Sequence, residues 1–300
     1  MKRLFTLVMF LLIVSPAWAA LKVFATVPEW GALTEAIGGS EVEVFVATGG
    51  LQDPHRIQAK PSLIARARNA DLLIATGAEL EVGWLPLVQR ESANPSIQSG
   101  QPGYFEAARY VSLLEKPARL DRAEGDVHAA GNPHIQTDPR NFLRVGRALA
   151  ERLAQLDPAH AALYAANEKR FRERLTEAIT RWEKAAAPLR GVPILVQHKA
   201  FPYLENWLGL NQLGSLEAKP GMEPTSGQLE AVLSRQRQQP AKMVLRPAYQ
   251  YDAPSRWLAE RTKINVVILP FTIGGTNEAR DIFSLFDDTV RRLLQGMEVR

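Results

Sequence analysis

Eight short aliphatic and β-branched runs, in two sets of four separated by helix-like segments, constrain this chain more than any other feature. The first set reads LKVFATV (21–27), EVEVFVAT (41–48), ADLLIAT (70–76) and RYVSLL (109–114). The second reads PILVQH (193–198), LNQLGSL (210–216), AKMVLRP (241–247) and INVVILP (264–270). Runs of this kind alternating with stretches such as PSLIARAR encode parallel sheets covered by helices. The expected fold is α/β, with two similar lobes, each a mostly parallel four-stranded sheet with covering helices. Between the sets, Leu163, Phe171, Leu175, Ile179 and Trp182 recur at helical spacing, Pro158 suits a first turn, and neither Gly nor Pro interrupts the run. One long backbone helix over 158–188 is therefore expected to join the lobes. Its length of roughly 45 Å would make it a strut that restricts hinge bending.

The chain opens MKRLFTLVMFLLIVSPAWAA: a basic start, an apolar run from Leu4 to Val14, Pro16, then Ala17 and Ala19 around Trp18. This reads as a cleavable signal peptide, since the run is shorter than the roughly 20 residues a spanning helix needs. The domain reading is then a signal peptide at 1–20, an N-terminal lobe at 21–157, the linking helix at 158–188 and a C-terminal lobe at 189–300. Removing Lys2 and Arg3 lowers the formal charge from +4 to +2, which argues against a nucleic-acid surface. The chain has no cysteine, hence no disulfide, thiolate ligand or lipid-attachment site. A soluble, monomeric periplasmic protein is expected.

Ligands of open α/β sheets bind just beyond the carboxyl ends of the strands. Three of the five histidines fall at such places: His55 in GGLQDPHR, His134 in GNPHIQTDP and His198 closing PILVQH. Two belong to the first set of strands and one to the second, so an ion held by all three would sit between the lobes. Pro54 and Pro133 fix the backbone just before two of them, which lowers the entropy cost of holding an imidazole in a loop. His128, six residues before His134 in a Gly-containing loop, is a possible accessory metal contact. His160 reads as an ordinary residue in the first turn of the long helix.

The stretches DPHRIQAKPS (53–62), ATGAELEVGWL (75–85), GNPHIQTDPRN (131–141), HKAFPYL (198–204) and PGMEPTSGQL (220–229) follow one another as they do in the metal-specific solute-binding proteins of ABC transporters, the zinc and manganese receptors. The chain resembles that family over nearly its whole mature length. The resemblance implies two lobes joined by one long helix, a metal site made of His55, His134 and His198, and delivery of the ion to an inner-membrane ABC permease. It also exposes a departure. Many members supply an aspartate from the loop after the last strand, whereas that loop here reads LPFTIGGTNEARD, with Thr272 and Ile273 at the expected place. Asp281 is the possible fourth ligand, with Glu278 also nearby, although an acid there equally suits a helix start.

Neutral imidazoles favour zinc, and manganese, which prefers more oxygen ligands, is the lesser expectation. Binding should weaken as pH falls through the histidine range near 6.5. Asp53, Asp138 and Glu205 are the candidates for orienting the imidazoles through their second nitrogens. A zinc hydrolase would need a positioned general base, yet the chain shows no H-E-x-x-H and no G-x-S-x-G, so no enzyme is expected. An organic-solute receptor would line its cleft with Trp30, Trp84, Trp207, Tyr249 and Tyr251. Adhesion and zinc buffering stand as secondary roles.

Overall fold

The computed structural model describes residues 19–117 and 128–298, so the proposed signal peptide lies outside the described residues except for its last two positions. The first sheet comprises β1 (Leu21–Ala25), β2 (Val42–Val46), β3 (Leu72–Ala75) and β4 (Tyr104–Glu106), all parallel, in the order β2-β1-β3-β4. The second comprises β5 (Pro193–Val196), β6 (Asn211–Ser215), β7 (Met243–Pro247) and β8 (Asn265–Leu269), again parallel, in the order β6-β5-β7-β8. The two halves thus share one topology. In each, the order reverses beside the first strand, which opens a crevice at the carboxyl edge. β3 and β7 are buried along their whole length, as strands covered on both faces must be.

Around the first sheet lie α1 (Pro28–Gly38), α2 (Pro61–Arg68), α3 (Leu85–Ser92) and α4 (Pro139–Leu156). After a short turn at Pro158–His160 comes α5 (Ala161–Ala185); α6 (Pro202–Leu208), α7 (Ser226–Gln238), α8 (Ala253–Thr262) and α9 (Ile282–Met297) follow. α1, α2 and α4 start with proline and α3 has one at its second position, where the missing N–H costs nothing in a first turn. α5 packs against α1, α4 and α9. With 25 residues it is about 37 Å long, shorter than the sequence pattern implied, because the 158–160 segment forms a separate turn.

One apolar core runs beneath both sheets. It takes in Val23, Ile74 and Phe142 from the first half, Leu175 and Trp182 from α5, and Trp207, Leu245 and Phe286 from the second. Smaller clusters fill the space under α2 and α3 and under α7 and α8. The halves also touch at backbone level: a side chain at Gly50 would come within 2.1 Å of the Gly274 carbonyl carbon, so only glycine permits the approach.

One expected strand is corrected. Residues 109–114 are a short turn and an irregular segment, and the strand lies earlier at Tyr104–Glu106. Phe105, fully buried, supplies the inward residue that pairs with Ile74, whereas Arg109 and Tyr110 are exposed.

Candidate metal centre

The loop that leaves β2 reaches His55 through Asp53 and Pro54. Asp53 Oδ1 accepts the backbone N–H of His55 at 3.0 Å and lies 2.9 Å from its Nδ1. Trp84 Nε1 donates to the Pro54 carbonyl at 2.9 Å and anchors the turn. A carboxylate on Nδ1 assigns the proton to that nitrogen and leaves Nε2 bare. His55 Nε2 is indeed buried without a hydrogen-bond partner. Burial works to raise the Asp53 carboxyl, but its bonds to His55 outweigh this and hold it below the usual carboxylate range.

His134 is carried by the Asn-Pro-His turn, where Asn132 Oδ1 accepts its backbone N–H at 3.0 Å. The turn is clamped from the other half: Tyr203 Oη donates to the Asn132 carbonyl at 2.6 Å and accepts the Leu114 N–H at 3.1 Å. The ring is fully buried, and its Nδ1 has no hydrogen-bond partner. Burial first, then the neighbouring His55, His198 and His128, push its pKa well below the ordinary imidazole value, so it is neutral at neutral pH. A neutral imidazole is the form that binds a cation.

His198 lies two residues beyond β5, and its Nδ1 is 2.7 Å from Glu217 Oε2, just past β6. The parallel register puts the two side by side, since Glu217 N donates to Gln197 O at 3.1 Å. Here the structure corrects two expectations. Asp138 caps α4 and pairs with Arg140 at 2.7 Å. Glu205 sits on α6, its carboxyl pushed up to about 7 by burial and by Glu115. Neither orients a site imidazole, and Glu217, which does, was not anticipated.

The structure brings the three sequence-selected rings together. Their centroids are 5.1 Å apart for His55 and His134, 5.8 Å for His134 and His198, and 6.2 Å for His55 and His198. Imidazoles sharing one tetrahedral ion at about 2.0 to 2.1 Å would hold centroids about 5 Å apart. The rings therefore stand at the required spacing or about 1 Å wider. Among the described residues no group of three or more His, Asp or Glu side chains is placed so that it could hold an ion as it stands, so the three rings would have to draw together to share one.

His128 stacks on His55 with centroids 5.4 Å apart, and the backbone beside it is tied to the first half by Ala129 N donating to Glu79 Oε2 at 2.7 Å. Asp281 is elsewhere. It is exposed and forms a capping box at the start of α9, accepting the Ser284 N–H at 2.7 Å. An acid in that position is used by the helix, which corrects the expectation of a fourth ligand. From the loop after β8 it is Phe271 that meets the His134 ring, edge to face. Beside His55 and His198 opens a cavity of about 190 Å³, lined also by Glu217, Glu223, Tyr249 and Tyr251. Trp30, Trp84 and Trp207 are buried in the cores and do not face it.

A sequence model of the family described as zinc-uptake complex component A, periplasmic, matches residues 23–296. The high-affinity zinc uptake system protein ZnuA of Paracoccus denitrificans is 26% identical over 246 residues, covering 70% of this chain and 71% of the relative. The manganese ABC transporter substrate-binding lipoprotein PsaA of Streptococcus anginosus is 21% identical over 285 residues, covering 92% and 89%. A crystal structure of ZnuA superposes with a TM-score of 0.75 at 22% identity, covering 92% of this chain and 98% of the other.

Proposed function

The chain belongs to the family of the periplasmic zinc-uptake complex component A, and from that premise we propose that it is a periplasmic receptor that binds zinc between its lobes and delivers it to an ABC permease for import. The observation that carries this reading is the convergence of His55 and His134 from one half with His198 from the other. All three rings are largely buried, His134 is neutral, and a carboxylate holds Nδ1 of His55 and of His198. That donor chemistry fits a divalent, nitrogen-preferring ion.

In this reading His55, His134 and His198 are the ligands, and His128, stacked on His55, is an accessory contact for the arriving ion. Water completes the sphere. Manganese, the ion named for one relative, is the weaker cargo, because the triad offers no oxygen. The mature protein is a monomer with lobes at 21–157 and 189–300 and the 158–188 segment between them, released by cleavage of a signal peptide at 1–20. It acts by holding and releasing an ion rather than by catalysis.

The test is metal analysis of the mature protein purified without added ions, followed by competition titration against a chelator. One zinc per chain is expected, lost in His55→Ala, His134→Ala and His198→Ala. A wild-type protein that retains no zinc and shows no competition overturns the reading.

A further inference from the structure

Behind the imidazoles runs a second connection between the halves that does not pass through the ion. Glu217 Oε2 faces His198 Nδ1 at 2.7 Å and also accepts the Gly221 N–H at 2.8 Å, so a single oxygen holds both. Gly221 sits in the turn closed by Met222 N donating to Lys219 O at 3.2 Å. Its φ of +75° is a conformation that glycine adopts without strain. On the far side of the same residue, the Gly221 carbonyl accepts from Arg56 Nη2 at 2.6 Å, and Arg56 follows His55 directly in the chain. Asp53, which holds His55 Nδ1, lies 3.8 Å from Arg56 Nε. An unbroken polar chain therefore runs from His55 through Asp53, Arg56, Gly221 and Glu217 to His198.

We propose that Glu217 is a positioning residue that couples the ring of His198 to the turn at 219–222, and that Arg56, by holding this turn from the opposite lobe, makes it a strap that slows release of the bound ion. The inference rests on the metal-receptor reading. A ring that swings away from Glu217 frees the oxygen that fixes the strap, and a strap that lifts removes the partner that fixes the ring. Glu217 also accepts from Gln250 Nε2 at 3.1 Å through its other oxygen, while Gln250 Oε1 is buried without a partner. Glutamine at 217 could keep its oxygen on both His198 and Gly221 and donate its amide to a turned Gln250. Alanine could not.

The experiment measures zinc affinity by chelator competition, zinc release by stopped flow into excess chelator, and hydrogen exchange over residues 217–225, in the full mature chain. Glu217→Ala is expected to weaken zinc binding by about 10- to 100-fold, as loss of an outer-shell partner does. It should also abolish the slowing of exchange at 217–225 by zinc. Glu217→Gln should recover affinity to within several-fold of wild type. Arg56→Ala, at an exposed side chain, should speed release about 3- to 10-fold, the scale of one lost solvent-exposed hydrogen bond. Wild type that binds zinc while Glu217→Ala stays within twofold overturns the coupling and leaves the receptor reading intact. Faster exchange in Glu217→Ala with unchanged zinc release reduces Glu217 to a structural residue and also overturns it. Wild type that binds no zinc overturns both.

Discussion

His134 of the first lobe and Phe271 of the second meet edge to face, their ring centroids 5.2 Å apart and their planes at 75°. Tyr249 and Phe201 brace Phe271 in turn, at 5.3 and 6.1 Å. The loop after β8 thus approaches the site with a hydrocarbon ring, and that side contributes exclusion of water rather than an oxygen donor.

An all-imidazole donor set predicts a wide gap between zinc and manganese, on the order of 100-fold or more in affinity. Phe271→Asp should narrow it. The backbone there has a φ of +60°, which aspartate tolerates better than most residues, and the carboxylate would enter beside His134. The cost is lost aromatic packing, about 3 kcal/mol of stability. Parallel zinc and manganese competition titrations decide the matter, and an unchanged ratio would refute it.

Zinc should raise the melting temperature. At a thousandfold excess over Kd the gain is about 4 kcal/mol, which for a chain of this size corresponds to roughly 7 °C. Calorimetry with and without zinc, with a chelator control, measures it; coincident transitions would contradict a site that bridges the lobes.

Glu29 predicts a pH dependence of the metal-free protein. It is fully buried in the first turn of α1, accepts the Ile273 N–H of the other lobe at 3.0 Å, and burial pushes its carboxyl up to about 7. The folded state then binds more protons than the unfolded state between pH about 4.5 and about 7, so stability falls as pH rises through that window. The loss amounts to about 3 kcal/mol. Glu29→Gln keeps the acceptor for Ile273 and can offer an amide to the buried Thr272 hydroxyl that faces the carboxyl. Urea unfolding should find the variant similar to wild type near pH 5 and more stable near pH 8. His134 titrates in both proteins and drops out of the difference. Equal stability at both pH values would exclude the protonated form.

Tyr203→Phe removes the hydroxyl that holds the Asn132 carbonyl and the Leu114 N–H. Leaving these groups unpaired should cost about 1 to 3 kcal/mol. Because the turn they fix carries His134, zinc affinity should fall by less than tenfold while binding persists. Denaturant unfolding and competition titration read the two effects separately, and a neutral substitution on both would dismiss the clamp.

The chain announced its lobes and its three imidazoles for the same reason: both are local. Apolar runs mark buried strands, and proline-led turns at strand ends mark His55 and His134. What the sequence concealed depends on register across the sheet. Glu217 lies 19 residues from His198 and becomes its neighbour only because β6 lies alongside β5, while Glu205, nearer in sequence, is carried away on α6. Asp281 misled because capping a helix and ligating an ion call for the same residue type. Val111 and Leu113 look strand-like in sequence, but β4 forms earlier, at Tyr104–Glu106, where Phe105 can be buried against Ile74.

The shared hydrocarbon interior beneath both sheets, spanned by α5, has a consequence for transport. If halves fused this way resist wide swinging, vacant and laden molecules should present nearly the same silhouette to the permease. Discrimination then falls to fine contours at the mouth of the crevice. Vacant copies crowding the dock should act as competitive inhibitors of uptake.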